Sequence, residues 1–199
     1  TQMTRDDFKT LAVQTLRQPE EAARWLIALN LPMPVRWMAL VLAVALSGIL
    51  AFAATAILGA PQDDAAPVMA ITGQPLVLAA TQLVAIVLGA GLMAGVGRMF
   101  GGRGRFEDAL ILTVWIEVML LMVQLAQIVL SLALPALAGM LGILAVALFL
   151  WLTVQFTKAL HGFTSGPKVL LVMFGTLLVM GFILSFFMAA LGLMPEMPQ

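Results

Sequence analysis

Apolar residues in this chain come in long unbroken runs, not in the stripes of a water-soluble helix or the alternation of a half-buried strand. Five runs, at 38–58, 76–96, 109–134, 136–157 and 169–193, are long enough to cross a bilayer. About 20 helical residues, rising about 1.5 Å each, cover about 30 Å of hydrocarbon. Four of the runs hold no charged side chain, and the third holds Glu117 alone. Backbone in hydrocarbon has no water to bond, so these runs must close their hydrogen bonds as helices; the alternation of a membrane barrel strand is absent. The predicted fold is all-α, a polytopic five-helix transmembrane bundle over residues 37–195 preceded by a polar segment at 1–36.

That polar segment carries a helical period. Thr4 is placed to cap a helix, Asp6 and Asp7 fall in its first turn, and Phe8, Leu11, Ala12 and Leu16 recur at helical spacing. Pro19 with Glu20 and Glu21 restarts a second helix, which runs through Trp25, Leu26 and Leu29 to the prolines at 32 and 34. Two short amphipathic helices are expected. They either lie in the headgroup plane and brace the bundle, with Trp25 and Trp37 as interfacial aromatics, or offer a docking surface to a cytosolic partner. Both roles need one apolar face, so the pattern leaves both open.

Composition agrees with a lipid-facing surface: 62% of residues are hydrophobic and 10% charged, against about 45–50% and about 25% in soluble domains. Ten Lys and Arg balance ten Asp and Glu, which gives no basic surface for nucleic acid. Position matters more than number. Arg5, Lys9, Arg17, Arg24 and Arg36 precede the first run, Arg98, Arg103 and Arg105 lie between the second and third, and Lys158 and Lys168 between the fourth and fifth. Basic residues in short loops stay cytoplasmic, so the N-terminus is expected in the cytoplasm and the C-terminus, after Pro195 and Pro198, outside. An outer loop holding Asp63 and Asp64 and no base fits that orientation. The third and fourth runs meet at Pro135 in a tight outer hairpin. No cleavable signal peptide is expected, and the first run serves as an uncleaved anchor.

Few residues are left for chemistry. One histidine and no cysteine exclude disulfides, thiol nucleophiles and zinc or iron–sulfur cages. No metal site, cofactor site or catalytic set is expected, because no Ser-His-Asp triad or carboxylate pair can be assembled on one side of the membrane. Inside the spans, Glu117 shares a helical face with Thr113 and Gln124, and Gln127 flanks them. Glu117 falls about 12 Å below the cytoplasmic boundary. Gln82 lies at a depth near Gln124 and Gln127, where an amide cluster can form. This polar cluster is either glue that sets helix register or a proton or substrate relay centred on Glu117. Gly91 and Gly95, within a run of small residues from Gly89 to Gly97, mark a face for close helix packing inside the chain or in a homodimer. Arg98, Arg103 and Arg105, interleaved with glycines that lack phosphate-loop spacing, form a topogenic turn or touch anionic lipid headgroups. His161 is placed in a loop.

The order of these features carries a resemblance. LRQP at 16–19 and AARWL at 22–26 precede five hydrophobic spans, FGGRGRFEDAL at 100–110 enters the third, and Trp151 precedes KALHGFTSGPK at 158–168. Together they resemble the Yip-domain family, membrane proteins first described as interactors of Ypt/Rab GTPases. The resemblance covers nearly the whole chain and implies five spans and a role in membrane organisation or trafficking. The long soluble N-terminal region of eukaryotic members, with its acidic and aromatic Gly-Pro motif, is missing from the sequence, so no GTPase partner is expected. The compact form is similar to bacterial members, which implies a bacterial inner membrane. The expected function is that of a non-enzymatic scaffold or adaptor whose partners are membrane lipids and a second copy or another membrane protein. The alternative is a small transporter or lipid-translocating bundle using the Glu117 stripe.

Overall fold

A computed structural model describes residues 5–58 and 75–190. Thr4, Asp63, Asp64, Pro195 and Pro198, on which parts of the sequence reading rest, lie outside the described residues. Seven helices and no strand are found among those described: α1 (Arg5–Arg17), α2 (Pro19–Ala28), α3 (Met33–Leu58), α4 (Pro75–Met99), α5 (Phe106–Ala133), α6 (Pro135–His161) and α7 (Gly166–Ala190). The five from α3 to α7 are long and apolar enough to cross a membrane.

Each spanning helix starts or ends with polar turns that an apolar run does not register. α3 begins five residues before the run at 38–58, and its first turn contains Arg36. The side chain of Arg36 is 3% exposed, not a free loop charge. Its Nε–H donates to Leu31 O at 2.8 Å, and its Nη1 sits 3.1 Å from Asp108 Oδ1 at the start of α5. A buried guanidinium needs such a partner, and here the pair fixes where α3 and α5 enter the bundle. α4 continues to Met99 and α6 to His161, while Leu134 alone separates α5 from α6, with Pro135 opening the second helix. Pro135 suits that place because a first-turn residue needs no N–H partner.

α5 is the hub. Half of its most apolar stretch is buried, against 17% for α3 and α6 and 6% for α7. It packs against α3, α4 and α6, whereas α7 packs mainly on α6. Burial is concentrated at the end of the bundle where the basic residues gather: Leu40 and Val44 of α3, Ala90 and Ala94 of α4, Leu110 to Met119 of α5, Leu152 and Phe156 of α6. Towards Pro135 the side chains turn outward, among them Ile49, Leu132 and Ile143.

The two short helices are docked on this packed end. In α1, Leu11 and Thr15 are buried and Phe8 and Ala12 half-buried, which is the i, i+3, i+4, i+7 stripe of one helical face. Leu16, placed on that face by the sequence reading, is 52% exposed; Thr15 takes its place. The Thr15 hydroxyl donates to Leu11 O at 2.8 Å and accepts the Trp115 indole N–H at 2.9 Å, so neither buried polar group is left unpaired. Phe8 meets the same indole edge to face, with ring centroids 5.4 Å apart. α2 buries Ala22, Ala23 and Leu26, and its Glu20 accepts a short hydrogen bond from Lys158 Nζ on α6.

Candidate functional site

The intramembrane polar cluster joins three helices. Gln82 Nε2 on α4 donates to Glu117 Oε1 on α5 at 2.6 Å and lies 3.0 Å from Ser47 Oγ on α3. Gln82 was read at the depth of Gln124 and Gln127, by counting from run ends. In the structure Gln82 reaches Glu117, seven residues before Gln124 on α5, so the depth counted from run ends does not set this pairing. Thr113 does not join them: its hydroxyl bonds to Ala109 O and Leu110 O of its own helix. Gln124 makes no side-chain hydrogen bond with a described residue, and the Gln127 amide faces α6 at Gly142. The four-residue stripe on α5 is therefore not a continuous polar path. One carboxyl group closes a local network with a hydroxyl and an amide, and no basic side chain of another span meets it.

A second polar centre sits at the basic end. His161 is the last residue of α6 and 6% exposed, not in a loop. Gly104 N–H donates to His161 Nδ1 at 3.1 Å, and His161 Nε2 lies 2.9 Å from Met93 O. A nitrogen that accepts from a backbone N–H carries no proton, so the ring is the Nε2–H tautomer, donating to Met93 O. The imidazole fits because three glycines clear space for it: a Cβ on Gly97, Gly102 or Gly104 would overlap the ring. Gly101, at φ +86°, turns the chain so that Gly102 N–H reaches Gly97 O at 2.9 Å. Gly162, at φ +74°, ends α6, and Phe163 stacks on the imidazole at 5.3 Å. The glycines between the arginines thus serve close packing on α6.

Held this way, the turn from 98 to 105 points its bases outward. Arg98, Arg103 and Arg105 are all exposed; Arg105 pairs with Glu107 at 3.3 Å, and Arg98 and Arg103 pair with no described residue. On α4, Cβ atoms at Gly91 and Gly95 would meet nothing, so this part of the small-residue face packs against no other described helix. Gly97, two residues on, is the glycine of the run held close to α6, while Ala90 and Ala94 are buried in the core.

The sequence reading missed Ser47, Thr15 with Trp115, and His161. A signal existed for the last: the turn has small residues at 97, 101, 102 and 104, more than a basic turn requires. Its partner, 57 positions beyond Gly104, carries no local mark. Among the described residues every buried side-chain polar atom has a partner, and no three of His, Asp and Glu gather as a metal site.

A family model, the Yip1 domain, matches residues 13–187. No curated protein and no solved structure matches the sequence.

Proposed function

Since the chain belongs to the Yip1 domain family and is an integral multi-pass membrane protein, we propose that it acts as a non-enzymatic scaffold. It organises other proteins in a bacterial inner membrane and faces the cytoplasm with its basic end. The observation that carries this reading is the docked pair α1–α2. These helices carry two apolar faces, of which only one is docked on the bundle. Leu11 and Leu26 face the bundle, while Val13, Leu16, Trp25 and Leu29 are 38–52% exposed. Trp115 and Lys158 hold the inner face in place, so the outer face is a surface of fixed shape, which is what a docking platform needs. The Ser47, Gln82 and Glu117 network supports the same reading, since it satisfies itself and serves as a three-helix tie.

The test compares two variants by complementation of a deletion strain and by the proteins that co-purify in mild detergent. Leu16→Ser with Leu29→Ser alters only the outer face and should abolish complementation and strip co-purifying proteins while elution stays that of the wild type. Glu117→Gln should retain both. If Glu117→Gln loses function and the surface variant keeps it, the scaffold reading fails and a transport role for Glu117 replaces it.

A further inference from the structure

A cleft of about 470 Å³ runs between α4, α6 and α7. It exists because α7 leans on α6 and leaves its other flank apart from α4. Along α4 it extends from Gly89 to Gly97, with Phe100 just past the helix end, and along α7 from Lys168 to Leu177, a length of about 12–14 Å parallel to the helix axes. Its walls are apolar: Leu92, Val96, Phe149, Val172 and Met173 line them. Charge is confined to one end, and the hydroxyls of Thr153, Thr157 and Thr176 along the walls are each taken up by a backbone carbonyl of their own helix. Thr164, Ser165 and Lys168 rim the mouth at the basic end, with Thr157 just inside. Lys168 is exposed and its ammonium pairs with no described residue.

We propose that this cleft is a phospholipid site, seating one acyl chain between α4 and α7 with the anionic phosphate at Lys168. The cleft opens between helices that span the bilayer, so its contents come from the bilayer. Water gains nothing there, since the walls offer it no bonding partners along most of their length. A single acyl chain with a negatively charged end matches the elongated apolar walls and the one charged end. The size is within the about 300–1,000 Å³ of ligand pockets. Arg98 and Arg103 in the neighbouring turn, which pair with no described residue, add positive potential on the same side of the bundle.

The experiment uses the full chain in phosphatidylcholine vesicles doped with a phosphatidylglycerol carrying a diazirine at the end of one acyl chain. After photolysis, labelled peptides are mapped by mass spectrometry. Labels concentrated on the cleft-facing residues of α4 and α7, over those on the lipid-facing side of α3, support the site. Even labelling of all spans overturns it. Native mass spectrometry of the delipidating protein supplies a second readout. Lys168→Gln should lower retained phosphatidylglycerol about fivefold, the factor carried by one basic residue at an anionic surface, and leave phosphatidylcholine unchanged. Val172→Trp, which fills the cleft, should reduce both. Unchanged retention in a Val172→Trp protein that elutes as the wild type also overturns the proposal. Should that variant misfold, the labelling pattern of the wild-type chain decides alone.

Discussion

Adding a methyl group at Gly97 would drive it into the His161 imidazole, whereas at Gly91 or Gly95 it would meet nothing. One small-residue run therefore holds two kinds of glycine, and they should answer differently to the same change. Gly97→Ala and Gly102→Ala should lower stability by about 1–3 kcal/mol through overpacking. Gly91→Ala and Gly95→Ala should be neutral or stabilising by up to about 1 kcal/mol, because alanine is the better helix former. Thermal unfolding in detergent measures both, and in a His161→Ala background the cost of Gly97→Ala should vanish. Glu117 poses a related question. In Glu117→Gln the new amide oxygen still accepts from Gln82, and stability should stay within about 1 kcal/mol. Glu117→Leu removes the acceptor and should cost on the order of 1–2 kcal/mol; equal melting temperatures for Glu117→Leu and the wild type would refute the three-helix tie. Glu117 and Gln82 were legible in the sequence because a lone polar group in an apolar run is expensive and must find company. Ser47 was not, since a serine in a spanning helix can satisfy itself on its own backbone, as Thr113 does here.

At the scale of elements, the spanning helices were readable from hydropathy alone, but their ends were not. Arg36 looked like the close of a loop and is the first turn of α3, because an ion pair with Asp108 covers the cost of burying it. The amphipathic period of α1 was visible, yet it named Leu16 where Thr15 is the inward residue. Hydropathy cannot reveal that an indole N–H 100 positions away donates to a hydroxyl oxygen here. That pairing sets the third prediction. Thr15→Val leaves the Trp115 N–H without an acceptor, at a cost of about 1–3 kcal/mol. Because the loss falls on the docking of α1, amide hydrogen exchange should quicken in α1 and stay unchanged in α5 and α6; Thr15→Ser should restore protection. Uniform acceleration across the bundle would mean that α1 is part of the cooperative core and not a docked arm.

Among the described residues, the bundle is packed at one end and turns its side chains outward at the other. Side chains from Arg36 to Val44, from Ala90 to Gly97 and from Leu152 to His161 converge on the first half of α5, while the opposite half turns its side chains outward. All ten basic residues belong to the sequence stretches at the packed end, which carries the orientation prediction. The chain has no native cysteine, so single cysteines at Met3 and Met197, both outside the described residues, can be read without background. An impermeant thiol reagent on intact cells should label the second and spare the first; labelling of position 3 reverses the orientation. The hairpin at the open end bears on how the chain enters the membrane at all. Leu134 is the whole connection between α5 and α6, and no charged residue occurs from 118 to 157. A translocation apparatus has no hydrophilic cargo to haul across at that point, so the two helices can slip into lipid from one side as a folded pair. An epitope inserted after Leu134 would create such cargo, and biogenesis of the tagged protein would then depend on machinery that the untagged hairpin can bypass.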